Sequence, residues 1–316
     1  MTLNNRWSKV GRSKDVYLPS VKEFKILDNN SKICSLGSCF ADRIGWELNE
    51  RKINIGKVEI IKDKKHVTFP WGSFFNPLNF SQIIQHVLEI KKIDFNPETF
   101  IKVPKKLQGN HYESSVQCKE IGEYKLINLH AKIKHDFDDY DLNLKKVNEN
   151  LTILKNSIKN SDAIIITLGL IETWIDKKNE IAWHAFHGEA LKKKSIDDKA
   201  YFKRLNYIEV VDCLKNMINI LVNDLNKKII FTLSPIPMAF TFSENDVVVA
   251  NRYSKSLLRS SIENFIDNKN VFYFPSFEIV VDSIGIEKSF INDKIHIGPK
   301  VFEKYIGPLF FKNFFN

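Results

Sequence analysis

Cysteine is scarce in this chain. The 316 residues include only four cysteines, at positions 34, 39, 118 and 213. No two of them form a C-x-x-C pair or another metal-ligand spacing, so the sequence predicts neither a disulfide framework nor a zinc site. We interpret them as structural or incidental thiols and expect no cofactor.

Long apolar runs are also absent. The longest one covers residues 163–171, whereas a transmembrane helix needs about 20 apolar residues. Residues 1–7 lack the charged region and following apolar segment that a secretory signal requires. We therefore expect a soluble, cytoplasmic protein with no membrane span.

A dense basic block is missing too, although the chain carries 47 Lys and Arg against 38 Asp and Glu, a formal charge of +9. Such a charge can favour nucleic acid, anionic glycans or a membrane surface. Nucleic-acid sites concentrate basic side chains and interleave them with aromatic ones, and here lysine is spread along the whole chain. We expect no nucleic-acid partner and infer a small-molecule or glycan substrate. The oligomeric state stays open.

Linkers rich in Pro, Gly or Ser, low-complexity tracts and solenoid-type repeats are likewise not found. A hydrophobic content of 43% permits a sizeable core, and the length allows one large domain or two small ones. We interpret residues 1–316 as a single domain with a core at about 30–300. Between about 95 and 141 the periodicity is lost, and short alternating runs near 113–116 and 124–129 predict a β-hairpin insertion or cap.

Apolar strands alternate with longer amphipathic segments along most of the chain. This alternation predicts an α/β fold in which helices cover both faces of a parallel sheet. Apolar runs predict strands at 32–36, 163–168, 228–233 and 271–274. Apolar residues at three-to-four spacing predict helices at 41–49, 81–92, 142–160, 207–226, 247–268 and 300–311.

The segment 32–41 reads as a buried strand that ends at Gly37-Ser38 and leads into a helix. This turn would place the Ser38 hydroxyl at the carboxyl edge of the sheet, where ligands of open α/β sheets bind and a helix start supplies N–H donors. Ser38 is therefore the candidate nucleophile. Cys39 is a competing thiol at the same turn, but side-chain alternation and the usual burial of a small Cys favour Ser38.

A nucleophilic serine needs a base, and the base needs an orienting acid. Asp293 stands three residues before His296, just ahead of the last predicted helix. Within one turn of a loop such a carboxylate can fold back onto the imidazole and fix its tautomer. Ser38, His296 and Asp293 form a predicted triad. His184 and His187 lack further ligands at a suitable spacing, so we predict no metal site.

Three further loops could line the same sheet edge, and each has an ordinary structural alternative. Gly169 follows the second strand and could let a substrate approach the backbone closely, or it could simply form the tight turn at the end of the strand. For Glu172, three residues further on, the functional and the structural interpretation both stay open. In the aromatic loop before the second predicted helix, Gly72 N–H or the Asn76 amide could donate to an oxyanion, although packing and helix capping also explain such residues. The loop 234–238 carries two prolines and could shape a pocket wall or be purely structural.

Several of these segments together resemble a known family. The Gly-Ser-Cys-Phe-Ala string at 37–41 is similar to the namesake motif of the GSCFA family, which resembles the SGNH/GDSL-type esterases and acyltransferases. Further matching segments follow in the same order and extend the resemblance over residues 30–300: 75–78, 167–174, 233–237, 250–256 and the pair Asp293 and His296.

The resemblance implies a flavodoxin-like three-layer α/β/α sandwich, as in SGNH hydrolases. It also implies that the first strand delivers Ser38 as the nucleophile and that the last loop carries Asp293 and His296. In SGNH enzymes a Gly and an Asn complete the oxyanion hole, but segment 169–172 of this chain has no Asn and ends in Glu172. An ionised carboxylate cannot donate a hydrogen bond, so the oxyanion donors stay unassigned, with Asn76 as a possible substitute.

Two functional interpretations follow. The first is a serine esterase or O-acyltransferase that acts on an acylated glycan or small molecule through a covalent acyl-enzyme. The second is a noncatalytic protein that binds a ligand such as a glycan on the same scaffold.

Overall fold

The computed structural model describes residues 16–38, 40–41, 43–45, 76–94, 100–104, 124–128, 140–183, 200–266, 268–293 and 295–316. Some sequence-based expectations lie outside these residues: Cys39, Cys118, Gly72, His184, His187 and the alternating run at 113–116. The helix predicted at 41–49 is described only at residues 40–41 and 43–45, which are α-helical.

Eight strands occur in the described residues: β1 (Ile33–Gly37), β2 (Phe100–Pro104), β3 (Tyr124–Asn128), β4 (Ala163–Leu168), β5 (Glu172–Asp176), β6 (Ala200–Arg204), β7 (Lys228–Leu233) and β8 (Val271–Phe274). Strands β1, β4, β7 and β8 form a parallel sheet in that order. The bounds predicted for β4, β7 and β8 are confirmed, and β1 lies one residue further along the chain than predicted.

The parallel sheet is apolar on both faces. Alternate residues of β4 pack into two different apolar clusters, with Ile164 and Ile166 on one face and Ile165 on the other. A near-continuous apolar run is typical of a parallel strand that is covered on both sides. The register pairs Gly37 with Thr167 across β1 and β4, so these two residues lie side by side at the carboxyl end of the sheet.

Seven α-helices are complete in the described residues: α1 (Pro77–Val87), α2 (Tyr140–Asn160), α3 (Tyr207–Ile218), α4 (Val247–Glu263), α5 (Ile286–Ser289), α6 (Pro299–Val301) and α7 (Gly307–Phe314). Apolar side chains of α1 to α4 fill one cluster against the sheet. The opposite face is covered by Phe40, by the π-helical segments Glu278–Ile284 and Phe302–Ile306, and by α6 and α7. The fold is thus a flavodoxin-like three-layer α/β/α sandwich, as predicted.

Helix ends differ from the predicted bounds where local capping or helix widening decides them. Helix α1 begins at Pro77 because the Asn76 side chain accepts a hydrogen bond from Leu78 N–H and the proline occupies the first turn. Helix α3 begins as predicted, with a capping box between Asn206 and Glu209. After Ile218 the chain continues as a π-helix over Asn219–Asp224 instead of as an α-helix.

Two antiparallel strand pairs lie outside the parallel sheet. Strands β2 and β3 pair within the segment 95–141 that was predicted to hold a β-hairpin insertion. Strands β5 and β6 form a second pair that the sequence did not predict, since β6 carries no simple apolar alternation. The single-domain interpretation stays a prediction.

Among the described helices, none combines the length and the apolar character that crossing a bilayer requires.

Candidate active site

Ser38 lies directly after β1, at the carboxyl edge of the sheet. Gly37 before it has a φ of 148°, a conformation that residues with a Cβ rarely adopt. The Ser38 hydroxyl accepts a hydrogen bond from Phe40 N–H at 3.2 Å, and the Ser38 carbonyl accepts one from Ala41 N–H at 2.8 Å. Ser38 therefore caps the following helix, and only 1% of its surface is exposed.

The Ser38 hydroxyl donates to a second serine hydroxyl. Its partner is Ser234 Oγ, 3.1 Å away, at the carboxyl end of β7. Strand β4 separates β1 from β7, and strands two places apart lie about 10 Å from each other. The two hydroxyls meet beyond the end of β4, where Leu168 is followed by Gly169, which has no side chain.

The predicted carboxylate and imidazole pair is present in the loop before α6. His296 Nδ1 lies 2.7 Å from Asp293 Oδ2. Asp293 Oδ1 also accepts hydrogen bonds from the backbone N–H groups of His296 and Ile295, both at 2.9 Å. These bonds, with the one from His296 N–H as the largest cause, lower the pKa of the Asp293 carboxyl from its usual 3.8 to about 2.

The hydrogen bond to Asp293 orients the His296 ring. Because an ionised carboxylate can only accept, the Nδ1 atom carries the proton of this contact, and in the neutral ring the lone pair is then on Nε2. About half of the His296 side chain, 49%, is exposed. The orientation required of a general base is therefore set by a contact within the loop itself.

The loop of His296 and the turn of Ser38 pack on the same face of the sheet. Ile297 contacts the apolar cluster that contains Phe40, and Ile236 of the loop after β7 packs on it as well. Within the described residues, however, no hydrogen bond joins Ser38 to His296, since the Ser38 hydroxyl donates to Ser234. Of the predicted triad, Asp293 and His296 are hydrogen-bonded to each other, whereas Ser38 is hydrogen-bonded to Ser234.

Asn76 and Glu172 connect the start of α1 to the start of β5. The Asn76 amide donates to the Glu172 carbonyl at 3.2 Å while its oxygen caps α1. The buried Glu172 carboxylate accepts from Thr241 Oγ1 at 2.7 Å and from Phe242 N–H at 3.4 Å. In this arrangement Glu172 anchors the loop that follows β7, and Asn76 has the capping role that was its structural alternative.

Gly169 is held by a buried lysine. Lys255 on α4 has only 3% of its surface exposed. Its ammonium group donates to Gly169 O at 2.7 Å and to Ile236 O at 2.9 Å. One cation therefore ties the turn after β4 to the loop after β7, and charge-assisted bonds of this kind are stronger than neutral ones.

Neither Ser234 nor Lys255 was predicted from the sequence to have a role. A signal for Lys255 was available in the sequence, because Lys255 stands three residues before Leu258 and seven before Ile262, the spacing of the apolar face of α4. A lysine on the buried face of an amphipathic helix is rare unless it is paired. Ser234 gave no comparable local signal.

The family model described as GSCFA matches residues 32–308. The chain belongs to the GSCFA family. No curated protein and no solved structure gives a significant match. The GSCFA match contains the segments that carry Ser38, Ser234, Lys255, Asp293 and His296, so the resemblance seen in the sequence is confirmed at the level of the family.

Trp174 of β5 has a packing role in this GSCFA chain. Its ring centroid lies 5.3 Å from that of Phe242 and 5.8 Å from that of Phe202. Burial raises the pKa of the Cys34 thiol far above its usual range and that of Cys213 to about 12, which makes both poor nucleophiles. No group of three or more metal-ligating His, Cys, Asp or Glu side chains occurs in the part of the chain that the structure describes.

Proposed function

We propose that this GSCFA protein is an SGNH-like serine esterase or O-acyltransferase that acts on an acylated glycan or small molecule. The observation that carries the proposal is the 2.7 Å contact between His296 Nδ1 and Asp293 Oδ2. In the neutral ring this contact leaves the lone pair on His296 Nε2, in a loop that packs on the same face of the sheet as the Ser38 turn. An imidazole oriented by a carboxylate is one part of the arrangement that activates a serine, and the other part is a hydrogen bond from the serine to that imidazole.

The proposed reaction is acyl transfer through a covalent intermediate. Ser38 Oγ attacks the ester carbonyl, the Ser38 proton passes to His296 Nε2, and the Asp293 carboxylate stabilises the imidazolium. The protonated His296 then gives its proton to the leaving alcohol. Water or a sugar hydroxyl, deprotonated by the same imidazole, releases the acyl group from Ser38. The acceptor decides between hydrolysis and transfer.

One rearrangement is part of this proposal. The Ser38 hydroxyl donates to Ser234 in the structure, and proton transfer requires hydrogen-bond reach to His296, about 2.6–3.2 Å. Catalytic hydrogen bonds are often absent or long without substrate and form in the complex. We therefore expect substrate binding to turn the Ser38 hydroxyl from Ser234 to His296.

The second candidate is a noncatalytic ligand-binding protein on this scaffold. It is favoured by the burial of Ser38, 1% exposed, and by the bond of its hydroxyl to Ser234 instead of to an imidazole. In that setting the role of Ser38 is to cap the helix that begins after it, and no catalytic role is needed to explain the residue.

A fluorophosphonate probe separates the two candidates, because it reacts covalently with an activated serine and needs no knowledge of the substrate. We expect labelling of the wild-type protein at Ser38, found by peptide mapping, and its loss in Ser38→Ala and His296→Gln. Ser35→Ala is the matched control: it removes a hydroxyl of the same strand, one that donates to Ala41 O, and it should leave labelling intact. A folded wild-type protein that takes no label and does not hydrolyse an ester substrate such as p-nitrophenyl acetate would refute the enzyme and support the binding protein.

A further inference from the structure

Ser234 is a buried hydroxyl donor beside the candidate nucleophile. The hydroxyl lies at the carboxyl end of β7, has 2% of its surface exposed, and is 3.1 Å from the oxygen of the candidate nucleophile. In the tetrahedral intermediate of acyl transfer the oxyanion is separated from the serine oxygen by one carbon atom. A donor in contact with Ser38 Oγ reaches the oxyanion, at the required distance of about 2.7–3.1 Å, when the carbonyl oxygen lies on the Ser234 side of Ser38 Oγ.

The hydrogen bonds of Ser234 leave its proton available. Ser234 Oγ accepts from Ser38 Oγ at 3.1 Å and from Ile236 N–H at 3.3 Å. A hydroxyl has two acceptor sites and one donor, so both acceptor sites are used. Within the described residues the Ser234 proton has no acceptor, although the group is buried. A buried donor without a partner is costly in the resting protein and gains most when an anion forms beside it.

The backbone of Ser234 is fixed on both sides. Its N–H donates to Leu168 O at 2.7 Å, which extends the pairing of β4 and β7 by one residue. Two residues further on, Ile236 O accepts from the Lys255 ammonium at 2.9 Å. The segment also contains Pro235, which has a restricted φ. A donor held in this way stabilises a developing charge without the cost of reorganisation.

We propose that Ser234 is a catalytic residue that donates a hydrogen bond to the oxyanion formed on Ser38. The inference rests on the proposed function. When the bond from Ser38 Oγ to the carbonyl carbon forms, the Ser38 proton passes to His296 and the electron pair of the C=O double bond moves to its oxygen. Ser234 donates to that oxygen and keeps its proton, and the bond is released when the double bond forms again.

The test compares variants of Ser234 by the rate constant of fluorophosphonate labelling and by kcat and KM for p-nitrophenyl acetate. Ser234→Ala should lower the labelling rate constant and kcat about a hundredfold to a thousandfold, the usual loss for one oxyanion donor, with little change in KM. Because Ala also leaves Ile236 N–H without its partner, Ser234→Thr and Ser234→Val form a second comparison of equal shape. Thr keeps a hydroxyl, so it should react much faster than Val.

Ser276→Ala is the matched control for the surroundings. Ser276 Oγ is buried, hydrogen-bonds to Thr232 Oγ1 and donates to Leu233 O at 2.6 Å, beside Ser234. Within the described residues no hydrogen bond joins it to Ser38. Its loss should leave labelling close to wild type. The inference is overturned if Ser234→Ala, or Val relative to Thr, reacts as fast as the hydroxyl-bearing protein, or if the probe is found on Ser234 itself. Absence of both labelling and p-nitrophenyl acetate hydrolysis in the folded wild-type protein overturns the proposed function, and with it this inference. Labelling and hydrolysis that are independent of Ser234 overturn the inference alone.

Discussion

Replacement of Gly37 by Ala tests how the sheet holds the candidate nucleophile. Gly37 has a φ of 148°, and a Cβ atom built on it would lie 2.6 Å from both the Cβ and the carbonyl oxygen of Thr167. Thr167 is its direct partner on β4, so the carbonyl is fixed by the central sheet and cannot rotate away. The third neighbour, Ala41 Cβ at 3.1 Å, belongs to the helix that begins after Ser38.

The magnitude follows from two separate costs. A residue with a Cβ in a conformation that only glycine adopts readily costs about 1–3 kcal/mol, and forcing extra volume into a packed site costs about 1–3 kcal/mol more. Gly285 offers a matched control, because it has a φ of 92° but nothing within 4 Å of a built Cβ. Gly285→Ala carries the first cost without the second, and the reduced flexibility of the unfolded chain affects both variants alike.

Urea unfolding followed by circular dichroism measures the difference. We expect the free energy of unfolding to fall by about 2–6 kcal/mol in Gly37→Ala, against about 1–3 kcal/mol in Gly285→Ala. Because whole domains are stable by only about 5–15 kcal/mol, Gly37→Ala can fail to fold where Gly285→Ala does not, and this order also supports the reasoning. A Gly37→Ala protein as stable as Gly285→Ala would refute the close contact between β1 and Thr167.

Two further predictions concern charged groups near the site. The pKa of Asp293 is depressed to about 2 from 3.8, so its ionised form stabilises the folded state above pH 3.8 and this contribution is lost as the pH falls through about 2. The loss of stability caused by Asp293→Asn, measured by thermal unfolding, should therefore shrink as the pH falls from 3.8 to about 2. A difference between the two proteins that stays the same over this range would contradict this. Lys255→Met removes the buried hydrogen bonds to Gly169 O and Ile236 O. It should lower the free energy of unfolding, measured in urea, by about 1–3 kcal/mol. An unchanged or higher free energy of unfolding would show that the ammonium group does not stabilise the loops.

The sheet and the acid–imidazole contact were predictable because each depends on local sequence. Strands β4, β7 and β8 are short apolar runs, and a strand buried on both faces needs little else to be recognised. The contact of Asp293 with His296 spans three residues, so a single loop turn is enough to form it. By contrast, β5 and β6 stabilise each other only as a pair, and neither has the apolar alternation that would identify it alone.

The partner of Ser38 could not be predicted, because it depends on strand order. Ser38 and Ser234 are 196 positions apart in the chain, and they meet because the sheet places β1 and β7 on either side of β4, which ends at Leu168. A change of strand order or of register at β4 would separate the two hydroxyls while leaving both local motifs intact. The motif around Ser38 therefore indicates a nucleophile, but what that nucleophile can do is decided by the residue that the sheet brings to it. That makes the comparison of Thr and Val at 234 more informative about chemistry than the loss of Ser38 itself.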